Sequence, residues 1–133
     1  MKANVLLLVY AVVAAVTGLV MLFAPTYYLF VYGMTADVQS EGLLRYVGAL
    51  YGGLAIMASM ARHAAPSETR EALVTGLAAA NFLASIVMGL LLASHVGNDK
   101  VVWISLAILA AFGIAFAIVG KIGVTPGAPA QVA

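Results

Sequence analysis

Cysteine is absent from this chain, which excludes disulfides, thiolate metal sites and cysteine nucleophiles. Charge is almost as scarce. Only 8% of residues are Asp, Glu, Lys or Arg, against roughly a quarter in a soluble domain. The net charge of +1 leaves no basic tract able to neutralise several phosphates, so nucleic acid is not an expected partner. The five carboxylates, Asp37, Glu41, Glu68, Glu71 and Asp99, all fall outside the apolar runs of the sequence. With none of them inside a run there is no proton relay to read there, and no convergent acid, base or nucleophile marks an enzyme. The glycines form no phosphate-binding loop, because they sit within apolar segments. The two histidines, His63 and His95, follow successive runs and so fall on opposite sides of a hydrocarbon layer about 30 Å thick. They are not expected to share a metal or to clamp a haem within one subunit, and no cofactor is expected.

What the chain has in excess is apolar surface, with 65% hydrophobic residues and a mean hydropathy of +1.11. A domain this small buries only about two-thirds of its unfolded surface, so much of the remainder must face lipid or a partner. Four runs, residues 3–24, 43–61, 72–94 and 101–119, each approach the roughly 20 residues that cross the hydrocarbon layer. Backbone amides in lipid must find partners within their own segment, so these runs are predicted to be helices despite their Val and Ile content. The expected fold is all-α: an integral membrane antiparallel four-helix bundle over residues 1–122, then a tail over 123–133 that contains Pro126, Gly127 and Pro129 and lacks periodicity.

Pro25, Pro66 and Gly97-Asn98-Asp99 interrupt the runs. Ser67 stands ahead of Arg70 and Glu71 with a hydroxyl able to cap the third helix, and Glu68 is favourably placed against the helix dipole. The longest break, residues 25–41, holds Tyr27, Tyr28, Phe30 and Tyr32 before Gly33. Such rings collect at the headgroup level, so a short interfacial helix or turn is expected. The first run follows Lys2 and continues to residue 24, longer than a signal-peptide core, and is expected to remain as a helix. There is no internal repeat: the Tyr- and Gly-rich second run has no counterpart in the fourth. With four spans both termini share a side. Lys2, Arg62, Arg70 and Lys121 outnumber Arg45 and Lys100, which predicts cytoplasmic termini in a plasma (inner) membrane.

The richest stretch opens the second run. Glu41 and Arg45, four apart, share a helix face in the favourable order, and Gly48 and Gly52 continue that stripe. Glycines four apart admit a second backbone, and Ala49 with Gly53 forms a neighbouring pair, so this span is expected to be the most tightly packed. Two readings of Arg45 stand open. It is either a buried cation facing a cavity and a polar ligand, or a side chain that snorkels to the headgroups and pairs with Glu41. Tyr46 and Tyr51 are likewise either pocket hydroxyls or interfacial anchors. Asn81 lies mid-span in the third run, where an unpaired amide costs on the order of several kcal/mol. Thr17, Ser59, Ser105, a backbone carbonyl or a ligand would serve as its partner.

Pro25, Tyr32-Gly33, and the series Glu41, Arg45, Gly48, Gly52-Gly53 together resemble a pattern in bacterial four-helix membrane proteins of the DoxX-like neighbourhood. The likeness covers the first half of the chain and offers no guide to the tail. It implies a four-helix membrane fold and, as for some DoxX-like members, a place beside a quinone-linked oxidoreductase. Since this sequence supplies no redox centre, the implied role is that of an anchor or quinone-adjacent partner. Two functions are therefore expected to compete. One is a non-catalytic component that packs through Gly/Ala-rich faces with itself or a larger complex. The other binds a lipid or quinone-like lipophilic small molecule between helices, with Glu41, Arg45, Tyr46, Tyr51 and Asn81 as polar lining. A channel or transporter would need several subunits, because one chain carries too few polar residues for an aqueous path. Membrane lipids are the default partner.

Overall fold

The computed structural model describes residues 3–123. It is all-α, with α1 (Ala3–Phe23), α2 (Pro25–Val31), α3 (Val38–Ala61), α4 (Glu68–Ala93) and α5 (Asp99–Gly123) in chain order. All but α2 are long and apolar enough to cross a membrane, which makes this a multi-pass membrane protein. Residues 124–133, nearly all of the tail expected from the sequence, lie outside the described residues.

α3 and α4 begin several residues ahead of their apolar runs because polar caps, rather than hydropathy, set their starts. Asp37 Oδ1 accepts from the Ser40 amide at 2.7 Å, and Ser40 Oγ accepts from the Asp37 amide at 3.0 Å, a reciprocal capping box at the start of α3. The bond from the Ser40 amide, ahead of the neighbouring Ser40 hydroxyl, holds the Asp37 carboxyl below the usual carboxylate range. Ser67 Oγ accepts from the Arg70 amide at 3.3 Å and caps α4. Pro25 opens α2, where its missing N–H would have no helical partner anyway.

The long helices pair as α1 with α3 and α4 with α5, each pair antiparallel. In the second pair Leu106 lies by Gly89, the Phe82 ring covers Gly113, and Val74 lies by Gly120, so numbers rise along one helix as they fall along the other. In the first pair two glycines meet backbone to backbone. A Cβ on Gly18 would sit 2.8 Å from Gly48 O, and one on Gly48 would sit 2.8 Å from Gly18 O. The most enclosed helix is nevertheless α1, with 39% of its span buried against 17% for α3, contrary to the expectation for the second span. The reason is position: α1 touches α2, α3 and α5, whereas α3 leans on α1 and the short α2.

The core is lopsided. Leu6 and Leu7 of α1, Ala58 and Ala61 of α3, Val74 and Leu77 of α4 and Phe116 of α5 gather in the half nearest the termini. There the Tyr10 ring meets Phe112 and Phe116 edge-on, both at 5.2 Å. At the same end the Arg70 guanidinium donates to Asn4 Oδ1, joining α4 to α1. In the opposite half no residue of α4 beyond Asn81 is buried, nor any of α5 between Val102 and Gly113. That half is roofed by α2 instead.

Candidate functional site

The aromatic segment expected at the headgroups divides. Tyr27 and Phe30 are exposed, while Tyr28 and Tyr32, four apart and so on one face of α2, turn into the bundle. Their rings stack at 4.7 Å. Tyr32 is 8% exposed and held at two points: its hydroxyl shares a 2.5 Å hydrogen bond with Ser105 Oγ of α5, and its carbonyl accepts from the Asn98 amide at 2.7 Å. That close approach requires glycine at 97. Gly97 has φ +87, and a Cβ there would collide with the Tyr32 carbonyl oxygen. Thr26 Oγ1 donates to Glu41 Oε1 at 2.8 Å, so α2 is tied to α3 as well as to α5.

Beneath this roof lies a cavity of about 190 Å³. Tyr28 and Tyr32 reach it from above, Tyr10 and Thr17 from α1, and Tyr51 from α3. Asn81 of α4 and Ser105 of α5 complete its polar lining. A second space of about 180 Å³ adjoins it, sharing Tyr10, Tyr51, Asn81 and Leu109, and runs outward between α3 and α4. Among the described residues, no charged side chain lines either space, and no group of three His, Asp or Glu is placed to hold a metal ion.

Asn81 is 2% exposed and satisfies its amide within its own helix, donating from Nδ2 to Leu77 O at 2.8 Å. Ser85 Oγ in turn donates to Asn81 O at 2.8 Å, so this turn of α4 carries two side-chain bonds to the backbone. The amide thus takes the backbone carbonyl among its expected partners, and its side chain lies against the Tyr10 hydroxyl. On α2, burial, then the adjacent Tyr32 hydroxyl, pushes the Tyr28 phenol well above its ordinary value. Tyr28 is a neutral donor at any working pH. The cavity therefore offers phenols, hydroxyls and an amide, a set that recognises hydroxyl or carbonyl groups and gives no compensation to a charge.

Of the residues singled out in the sequence, Tyr51 and Asn81 meet at the cavity. Arg45 and Tyr46 do not: both are exposed on the outside of α3. Helical geometry accounts for the split, since at about 100° per residue Tyr46 points well away from Tyr51. Glu41 bonds Thr26, and among the described residues it forms no salt bridge to Arg45. Gly48 contacts α1, and the Gly52 amide nitrogen lies 3.1 Å from where a Gly18 Cβ would be. Ala49 and Gly53 are exposed, and a Cβ added to Gly53 meets nothing. Tyr10 and Gly18 went unnoticed in the sequence, and Tyr28 and Tyr32 were assigned to the interface. One signal was there to find: Tyr10 and Thr17 are seven apart, hence on one face, and interrupt a run that is otherwise apolar beyond Asn4.

No family model, curated protein or solved structure matches this chain.

Proposed function

We propose that this membrane protein binds a small lipophilic molecule bearing a neutral polar group, in the chamber under α2. The supporting observation is the convergence of Tyr10, Tyr28, Tyr32, Tyr51 and Asn81 on one cavity inside an otherwise apolar bundle. Polar groups in hydrocarbon are costly, and a bundle that served only as scaffold would pack more stably without them. Together the two adjoining spaces reach the lower end of the range for small-molecule sites, about 300–1,000 Å³. A quinone-like head group belongs to this class, in keeping with the DoxX-like resemblance, and would make the chain a non-catalytic, quinone-adjacent partner. The excess of Lys and Arg on the side of the termini supports an orientation with both termini on the cytoplasmic side of a plasma membrane.

The test is native mass spectrometry of the full chain released from mild detergent, with lipid extraction of the same sample. Wild type is expected to retain a small lipophile, Arg45→Ala to retain it equally, and the double variant Tyr51→Phe, Asn81→Leu to lose it. An empty wild type, or retention indifferent to the double variant, overturns the reading.

A second reading is favoured by the bare Ala49 and Gly53 on α3: an accessory subunit that packs through this face with a second copy or a larger complex. A lone monomer in mild detergent, with nothing co-purifying, removes it.

A further inference from the structure

Taking the chamber as the binding site proposed above, we infer that its ligand is an uncharged, single-tailed lipid whose tail leaves the bundle sideways, through the gap between α3 and α4. The gap is bounded by Val47, Leu50 and Leu54 on one side and by Ala80 and Ala84 on the other. Alanine at both α4 positions leaves room that larger side chains would fill. The backbones of α3 and α4 hardly meet, whereas α1 packs on α3 and α4 on α5 along their lengths. The gap is apolar until it joins the chamber at Tyr10, Tyr51 and Asn81, which line both spaces. Head-group chemistry and tail path are thus continuous.

Its mouth opens into hydrocarbon. Leu50 stands at the middle of α3 and is 52% exposed, so the opening faces acyl chains, not headgroups. Two other ways out are closed: α2 is tied down on one side by Thr26–Glu41 and Tyr32–Ser105, and the packed core fills the half nearest the termini, which leaves the α1–α5 side at Val13 and Ile108 as the competing path. A phospholipid fits poorly. Its phosphate would be drawn toward mid-membrane, and among the described residues no Lys, Arg or His lines either space to receive it. At about 180 Å³ the gap suits one slender chain.

The experiment uses the full chain in phosphatidylcholine vesicles and two photoreactive probes with the same diazirine-bearing tail, a fatty alcohol and the corresponding alkyl sulfate. The alcohol is expected to label saturably, with adducts at Leu50, Leu54 and Ala84, and at least about tenfold above the sulfate, as expected for a charge with no partner. Ala84→Trp, which fills the gap, is expected to lower that labelling about tenfold, the loss of about 1.4 kcal/mol of binding. Adduct positions on wild type give the same answer without any variant. Equal labelling of these sites by the sulfate overturns the uncharged class. Saturable labelling that depends on Tyr51 and Asn81 but falls on Val13 and Ile108, between α1 and α5, overturns the tail path and leaves the chamber standing. Labelling that never saturates, ignores the chamber substitutions and spreads over lipid-facing residues such as Val12 and Ile114 overturns the chamber itself.

Discussion

At Gly48 a single methyl group separates a tolerated helix from a disrupted one. A Cβ there would press on Gly18 O and the Leu22 amide nitrogen, at 2.8 and 2.9 Å, and backbone atoms of a packed helix have nowhere to retreat. Gly48→Ala is expected to destabilise the protein by about 1–3 kcal/mol, seen as a lower Tm in detergent. Gly53→Ala, five residues along the same helix, meets open space and is expected to be neutral or stabilising by about 0.5–1 kcal/mol, the ordinary gain of Ala over Gly within a helix. Equal effects at the two positions would contradict the contact. Asp37 carries a pH dependence of definite sign. Its carboxyl is held below its ordinary value, so the cap's contribution is present above the ordinary carboxylate range and is lost as pH falls through the lowered value. Asp37→Asn is expected to flatten the acid limb of a Tm-against-pH curve. The α3 glycines were legible in the sequence because their spacing is a local property. Their partner Gly18 was not, because nothing in spacing says which helix will lie opposite.

At the scale of elements, α2 decides whether the bundle has a chamber. Its position depends on the turn between α4 and α5, where His95 and Gly97 both adopt positive φ and bring the Asn98 amide to Tyr32 O. Gly97→Ala meets both the collision with that oxygen and a φ that favours glycine. Faster hydrogen exchange is expected through α2 and residues 94–98, with protection of the α1–α3 contact retained. Unchanged exchange in α2 would show that this turn does not hold it. The same element marks the limit of sequence reading. Tyr27, Tyr28, Phe30 and Tyr32 suit a headgroup layer by composition, and only the helix, with a period of 3.6 residues, sends Tyr28 and Tyr32 inward while leaving Tyr27 and Phe30 outside. Tyr46 went the opposite way for the same reason, lying about 200° around α3 from Gly48, which α1 claims, and Arg45 is exposed as well.

For the whole molecule, the lack of cysteine permits a clean test of topology. Single cysteines at the exposed positions Ala65 and Lys100 should respond oppositely to a membrane-impermeant maleimide on intact cells, with Lys100→Cys labelled and Ala65→Cys protected. The reverse pattern would invert the orientation, and labelling of both would contradict the four-span path. Hydropathy alone determined that four helices cross a membrane, because the requirement that apolar side chains meet lipid and amides meet their own segment is satisfied residue by residue along the chain. Which helices pair, which half is packed, and which tyrosines face a cavity were decided only by tertiary contact. Every face of these spans is apolar, so periodicity carries little contrast between lipid and interior, and the choice falls to close fits such as Gly18 against Gly48 and Tyr32 beneath the α4–α5 turn.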